Sequence, residues 1–265
     1  MISADVTVVI PHYQTLDAVR LCLRSIRHYT QPAPRVLVVD NGSQDASLDY
    51  LRGLRWIDVV DSGVGNDLIG AHAAALNTGA ARVATPYFAI IHSDTYVHRA
   101  GWLAMLIGAL ERGGYAAVGS RHQTIRVYGA APLAALALRA APLLARHGGR
   151  ATAAGVPWLR SCLTLYRTAA FRAAGAAFAS DGKEDASHAA HAALVAHGER
   201  LLPLPDRVVG HYVFHKGDTT RIANRFYADD DADFRARITR HQRHVGGFYA
   251  RAATRALLAD ERLDG

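Results

Sequence analysis

Tyr87-Phe88-Ala89-Ile90-Ile91-His92-Ser93-Asp94-Thr95 is the stretch on which the reading of this chain turns. An unbroken apolar run bounded by polar residues is the pattern of a central strand in a parallel sheet, buried on both faces. A carboxylate, Asp94, follows almost at once, with no basic residue beside it in sequence. Open parallel sheets bind ligands beyond the carboxyl ends of their strands, which is where Asp94 would stand. A divalent cation with oxygen ligands would supply its counter-charge and could bridge a diphosphate. A plainer reading also holds: an Asp ahead of the helix that opens at Trp102 can act as a cap.

The flanking sequence alternates strand and helix signals. Val6-Thr7-Val8-Val9-Ile10 is a β-branched run ended by Pro11, and Leu16, Val19, Leu23 and Ile26 then recur at helical spacing. Val36-Leu37-Val38-Val39 reads as a second strand running into the turn Asp40-Asn41-Gly42-Ser43, and Ile57-Asp58-Val59-Val60 as a third. The Ala-rich segment from Gly70 to Ala84 predicts a helix with small side chains, able to lie close on a sheet. Trp102 to Leu110 is helical again, and Ala116-Ala117-Val118 a short strand. Such βαβ alternation predicts a mostly parallel sheet with helices on both faces.

Beyond Arg121 the pattern loosens. Residues 129–148 read as an Ala/Leu-rich helical segment closed by Gly148-Gly149, suited to a core helix, an acceptor-side insertion spanning 129–150 or contact with a membrane surface. Ser161 to Tyr166 is strand-like, Asp185 to His197 helical, and the chain beyond Thr220 polar, with a basic amphipathic stretch to Arg262. One domain over residues 1–220 with a helical extension over 221–265 is the economical organisation.

With 265 residues, half of them hydrophobic and 20% charged, the chain can bury a sizeable core and is not disordered. No apolar run has spanning length, and Met1-Ile2-Ser3-Ala4-Asp5 lacks the basic-then-apolar pattern of a signal peptide. Cys22 and Cys162 have no metal or redox spacing, which fits a reducing cytoplasm. The formal net charge of +7 suits phosphorylated ligands, nucleic acid or an anionic membrane surface, but an arginine-rich composition yields it without any function. The basic residues are dispersed and no aromatic-basic module appears, so a nucleic-acid partner is not expected.

Three polar clusters follow strands: Pro11-His12-Tyr13-Gln14, Asp40-Asn41-Gly42-Ser43 and His92-Ser93-Asp94-Thr95. All should line one crevice, although Asp40 and Ser43 are also ordinary turn residues. Together with Gly70, Asn77-Thr78-Gly79 and Gly101-Trp102-Leu103, they stand in the order of the inverting family 2 glycosyltransferases. Each piece is weak alone, but all of them in order at sensible spacing are a strong signal. The chain resembles that family well over about residues 5–120 and more weakly over 155–217.

The resemblance implies a GT-A fold and a nucleoside-diphosphate sugar donor, UDP being the commonest. It implies donor contacts at Pro11, His12, Tyr13, Asp40, Asn41, Gly70, Asn77, His92, Ser93 and Asp94, with Asp40 accepting from the base. Asp94 matches the last Asp of the family's Asp-x-Asp motif and would hold Mn²⁺ or Mg²⁺ on the diphosphate. His92 departs from the motif's first Asp, a position that usually faces the ribose.

Lys183-Glu184-Asp185 resembles the Glu-Asp pair of inverting members, with Asp185 as general base and Glu184 its substitute. A neighbouring acid can raise a carboxyl pKa by like-charge repulsion, although acids at a helix start also simply suit the dipole. His211 and His215 flank Tyr212-Val213-Phe214 in a segment resembling the family's late His motif; His215 fits the metal position first and His211 second. Lys216, Thr219 and Arg221 could meet the diphosphate. The i, i+3 pairs His188/His191 and His241/His244 offer too few ligands for zinc, and the His188 face could border an acceptor pocket.

A nucleotidyltransferase would share the sheet but would place a glycine-rich, basic loop after the first strand, where Pro11-His12-Tyr13-Gln14 has neither. A degenerate, binding-only glycosyltransferase is the other alternative. The acceptor class (glycan, lipid carrier, protein or small natural product), the oligomeric state and contact with a membrane periphery stay open at this level.

Overall fold

The computed structural model describes residues 2–64, 70–128, 158–180, 185–224 and 232–265. The expected insertion at 129–150, and Lys183 and Glu184, lie outside them. The described chain runs β1 (Val6–His12), α1 (Leu16–Tyr29), β2 (Arg35–Asp40), α2 (Ala46–Gly53), β3 (Asp58–Asp61), α3 (Gly70–Arg82), β4 (Tyr87–Ile91) and β5 (Thr95–Val97). It continues through α4 (Trp102–Gly113), β6 (Ala117–Ser120), β7 (Leu163–Arg167), α5 (Thr168–Ala173), α6 (Ser187–Ala196), β8 (Leu201–Leu204) and α7 (Asp206–Val209). β9 (Val213–His215), α8 (Thr219–Ala223), α9 (Ala232–Tyr249) and α10 (Ala252–Ala259) complete it.

Seven strands form one sheet in the order β3-β2-β1-β4-β7-β6-β8. β3, β2, β1 and β4 are parallel, as the alternation predicted, whereas β7 lies antiparallel between β4 and β6. β4 spans the expected residues, but only one of its neighbours is parallel. This reversal matters for the site, because Ile91 at the end of β4 faces Leu163 at the start of β7. The residues that precede β7 therefore reach the same mouth as those that follow β4.

Pro11 does not end β1, as its sequence suggested; the strand runs on to His12. Pairing with β4 stops at Val9, while pairing with β2 continues through Pro11 to His12. The missing proline N–H thus falls where a single neighbour flanks the strand, the setting in which proline is tolerated.

Alternating side chains divide the core between the two sheet faces. Val8, Ile10, Val38 and Ile91 pack with α1, α4 and α10 on one side; Val9, Val39, Phe88 and Ile90 pack with α3, α5 and α6 on the other. The small residues of α3 do bring it close: a Cβ at Gly79 would stand 2.3 Å from Val9 Cγ1. The carboxyl-terminal helices pack on this frame. Phe248 stacks on Phe214 and Tyr96, Leu257 is buried, and Asp264 meets the buried guanidinium of Arg24.

Outside the main sheet, β5 and β9 pair antiparallel with Thr95 opposite His215. The sequence showed neither strand. Their pairing carries His215 to the carboxyl end of β4, next to Asp94. Among the described residues no helix is long and apolar enough to cross a membrane.

Candidate active site

The β4 mouth holds a row of histidines, His215 buried and His92 and His72 half-buried, between two carboxylates. His215 Nε2 lies 2.9 Å from Asp94 Oδ1, and its Nδ1 meets the carbonyl of Gln123. The His92 ring stands 5.1 Å from that of His215 and 5.0 Å from that of His72 on α3, both edge to face. At the far end Asp185 lies two residues ahead of α6, with Oδ1 accepting from the amide (3.0 Å) and hydroxyl (2.6 Å) of Ser187.

Ser161 joins the two ends. Its Oγ lies 3.0 Å from His92 Nε2, 3.3 Å from His72 Nε2 and 3.4 Å from Asp185 Oδ2. The same Asp185 oxygen stands 3.6 Å from the Arg160 guanidinium. Sequence reasoning missed Ser161, His72 and Arg160. The available signal was geometric: an antiparallel β7 would have placed Arg160 and Ser161 at the mouth.

Burial and charge oppose each other along the row. Burial alone would raise the Asp94 pKa, but His215 beside it pulls it well below the usual carboxylate range. Burial would lower His215, yet the Asp94 carboxylate lifts it well above its ordinary value. His92 has no such support: burial, with His72 and His215 nearby, pushes it down to about 3, so it is neutral. For Asp185 burial pushes upward and is overcome by the two Ser187 hydrogen bonds, leaving a lowered pKa. The like-charge push expected of the neighbouring acid rests on Glu184, outside the described residues; among the groups described, the donors around the carboxylate outweigh burial.

The remaining expected residues fall into groups. Asp40 ends β2 and is held by its own loop, accepting from Gly42 N, Ser43 N and Ser43 Oγ at 3.0, 2.8 and 2.6 Å. Gly42 adopts φ +80° in that turn, a conformation glycine allows at little cost. Asn41 beside it is buried, and its Oδ1 has no partner. A buried unpaired carbonyl oxygen costs roughly 1–3 kcal/mol, so a ligand donor there would be stabilising.

Pro11 and His12 lie under the mouth, within β1. His12 is buried against α2 through a 2.8 Å bond from Nε2 to Ser47 Oγ, and burial lowers its pKa to about 4. Tyr13 is half-buried at the β1–α1 loop, next to Gln14 and Thr15, whose φ values of 53° and 65° mark a strained turn. Gly70 opens α3. Asn77 lies apart, its amide bonded to both backbone groups of Phe178 at 2.8 Å. Ser93 is buried between His92 and Asp94.

His211 does not join the row. It packs edge to face on Tyr212, and its neighbours are Arg99 and Tyr128. Between the two candidates, His215 is the one beside Asp94. Lys216 is half-buried just past β9, and Thr219 opens α8 within reach of Asp94. Arg221 is in α8, and its side chain lies outside the described residues. Thr219 Oγ1 also meets His241 Nε2 at 3.1 Å, so α9 brings a buried histidine to this rim. The sequence had offered His241 only as half of an i, i+3 pair.

Ligand atoms of His92, Asp94 and His215 all lie within 4.8 Å of one another. One carboxylate and two imidazoles at such spacing fit a divalent cation, since both donor types ligate first-row metals. The buried acid–imidazole pair that a cation would join is already assembled.

Residues 7–174 match the family model described as glycosyl transferase family 2. No curated protein matches the sequence. Among solved structures the chain is similar to a mannosyltransferase, PcManGT from Pyrobaculum calidifontis, in complex with GDP-Man and Mn²⁺. That likeness has 21% identity and a TM-score of 0.55, covering 77% of this chain and 55% of the other. It is similar to S. aureus TarS at 15% identity and TM-score 0.56, over 97% of this chain and 50% of the other. For TarS 1-349 in complex with UDP-GlcNAc the figures are 14%, 0.53, 96% and 78%. The chain thus spans about half the length of the first two structures. At these identities the likeness speaks for a shared GT-A fold.

Proposed function

The chain belongs to glycosyl transferase family 2, and on that premise we propose that it transfers a sugar, with inversion, from a nucleoside-diphosphate donor to an acceptor hydroxyl or amine. UDP-linked sugars come first as donors, and a divalent cation, Mn²⁺ or Mg²⁺, assists. The observation that carries this reading is the buried contact of Asp94 with His215 at the mouth of the sheet, 2.9 Å apart. Asp94 and His215 would hold the cation, which when bound offsets the charge of the departing diphosphate.

The chain's own groups supply the rest. Asp40, Asn41 and Tyr13 flank the place where a base and ribose would sit, with the unpaired Asn41 Oδ1 open to a donor. Thr219 lies on the phosphate side, beside Asp94, and Lys216 directly follows His215 in the chain. Asp185 is the general base. Its Oδ1 is occupied by Ser187, so Oδ2, with longer contacts to Ser161 and Arg160, is the oxygen that takes the acceptor proton. The acceptor oxygen or nitrogen then bonds to the anomeric carbon as the bond to the diphosphate oxygen breaks on the opposite side.

Residues 1–220 would form the donor-binding and catalytic unit, and 221–265 an extension docked on α1. Both cysteines are buried and free, which suits a reducing compartment. The test is nucleotide release from a panel of UDP-, GDP- and dTDP-sugars with Mn²⁺. Release in wild type that Asp94→Ala abolishes supports the reading; equal release by Asp94→Ala contradicts it.

A further inference from the structure

The imidazole of His92 stands where a carboxylate would make the cation site rich in oxygen. Its ring shares the 4.8 Å cluster with Asp94 and His215. Its hydrogen bonding also decides which nitrogen carries a lone pair. The Ser161 hydroxyl has one hydrogen and two acceptor sites. That hydrogen goes to Asp185 Oδ2, so the oxygen accepts from the two imidazoles that touch it, His92 Nε2 and His72 Nε2. His92, donating from Nε2, keeps its lone pair on Nδ1. His215 is arranged by the same logic, since the Gln123 carbonyl can only accept and so takes the Nδ1 hydrogen. The nitrogen left over is Nε2, beside Asp94. Each imidazole thus has one nitrogen tied to a neighbouring oxygen and the other unprotonated in the neutral ring, the arrangement typical of metal-binding histidines.

We propose that His92 is a second nitrogen ligand of the cation, held in its ligating tautomer by Ser161, so that the centre favours imidazole-binding ions such as Co²⁺ and Zn²⁺ over Mg²⁺. This rests on the cation site of the preceding subsection and adds its ligand set and selectivity. Two nitrogens and one carboxylate suit the later first-row ions, whereas Mg²⁺ favours oxygen ligands and water. Ser161 is a positioning residue here. It is 1% exposed and ties the cation's ligand to the acid at the opposite end of the row.

The full chain, titrated calorimetrically with CoCl₂ and with MgCl₂ alone, tests this. His92→Asp should reduce the Co²⁺-to-Mg²⁺ affinity ratio by roughly tenfold or more, and Ser161→Ala should weaken Co²⁺ by roughly 10- to 100-fold. A measurement that needs no variant is pulsed electron paramagnetic resonance of bound Mn²⁺, which should show couplings from two directly bound imidazole nitrogens. An unchanged ratio in His92→Asp, or a single coupled nitrogen in wild type, overturns the proposal while the Asp94–His215 site stands. If Asp94→Ala binds Co²⁺ as tightly as wild type, the cation lies elsewhere and both readings fall together.

Discussion

Asp94 and Asp185 stand at opposite ends of one row of imidazoles, with side chains 9% and 7% exposed, yet their surroundings differ in kind. Asp94 is answered by a charge, the His215 ring at 2.9 Å. Asp185 is answered mainly by dipoles, the amide and hydroxyl of Ser187, with an arginine farther off at 3.6 Å. Both devices keep a buried acid ionised, and they leave it fit for different work. A carboxylate held by a protonated imidazole can exchange that proton for a metal ion. A carboxylate held by close donors on one oxygen, with only longer contacts on the other, can receive a proton at that second oxygen.

The contrast breaks most sharply on replacing the loosely held oxygen of Asp185. Asp185→Asn should lower kcat by roughly 10²- to 10⁴-fold, the usual worth of a general base, while leaving nucleotide affinity unchanged in calorimetry. Loss of nucleotide affinity together with kcat would place Asp185 on the donor side instead. Asp94→Ala should do the reverse to binding, abolishing its cation dependence. It should also cost roughly 1–3 kcal/mol of stability in urea denaturation, because His215 is left buried without its partner. A variant as stable as wild type would show the pair to be energetically idle.

Two histidines outside the row sharpen the comparison, because neither touches a carboxylate. Burial lowers His12 and His191 to about 4, outweighing Asp40 for the first and Asp185 for the second. Their folded pKa values lie below the unfolded value near 6.5. The stability they contribute is therefore complete above pH 6.5 and lost as pH falls toward 4, by roughly 1 kcal/mol each at pH 5.5. Thermal unfolding between pH 7 and 5 should show this decline, and a flat Tm across that window would contradict it. The smallest effect belongs to Ser187→Ala. Removing one donor should cost about 1 kcal/mol and move the acid limb of the kcat/KM profile to higher pH, since the Asp185 pKa is released upward.

What the sequence disclosed follows from which signals are local. β4 stands at its expected residues, β1, β2 and β3 lie within two residues of theirs, and α3 begins at Gly70, because apolar runs and helical spacing are written in consecutive residues. Asp94 was legible by its place after such a run, and His215 through its resemblance to a motif. The β5–β9 ladder was not legible. Each strand is three residues long, and neither carries a periodic signal. Ser161 and His72 escaped for a related reason. They matter because β7 is reversed and α3 lies against the sheet, and neither orientation is written in their own neighbourhood. Asn77 shows the opposite case, where motif order pointed to the donor while its amide binds the Phe178 backbone.

The central claim is that Asp94, paired with His215, gathers a cation around a nucleoside diphosphate. Calorimetric titration of the full chain with UDP and with GDP, in Mn²⁺ and again in excess chelator, tests it most directly. One of the two nucleotides should bind in Mn²⁺, chelation should remove the binding, and Asp94→Ala should remove it in either buffer. Equal binding with and without the cation, retained in Asp94→Ala, would contradict it.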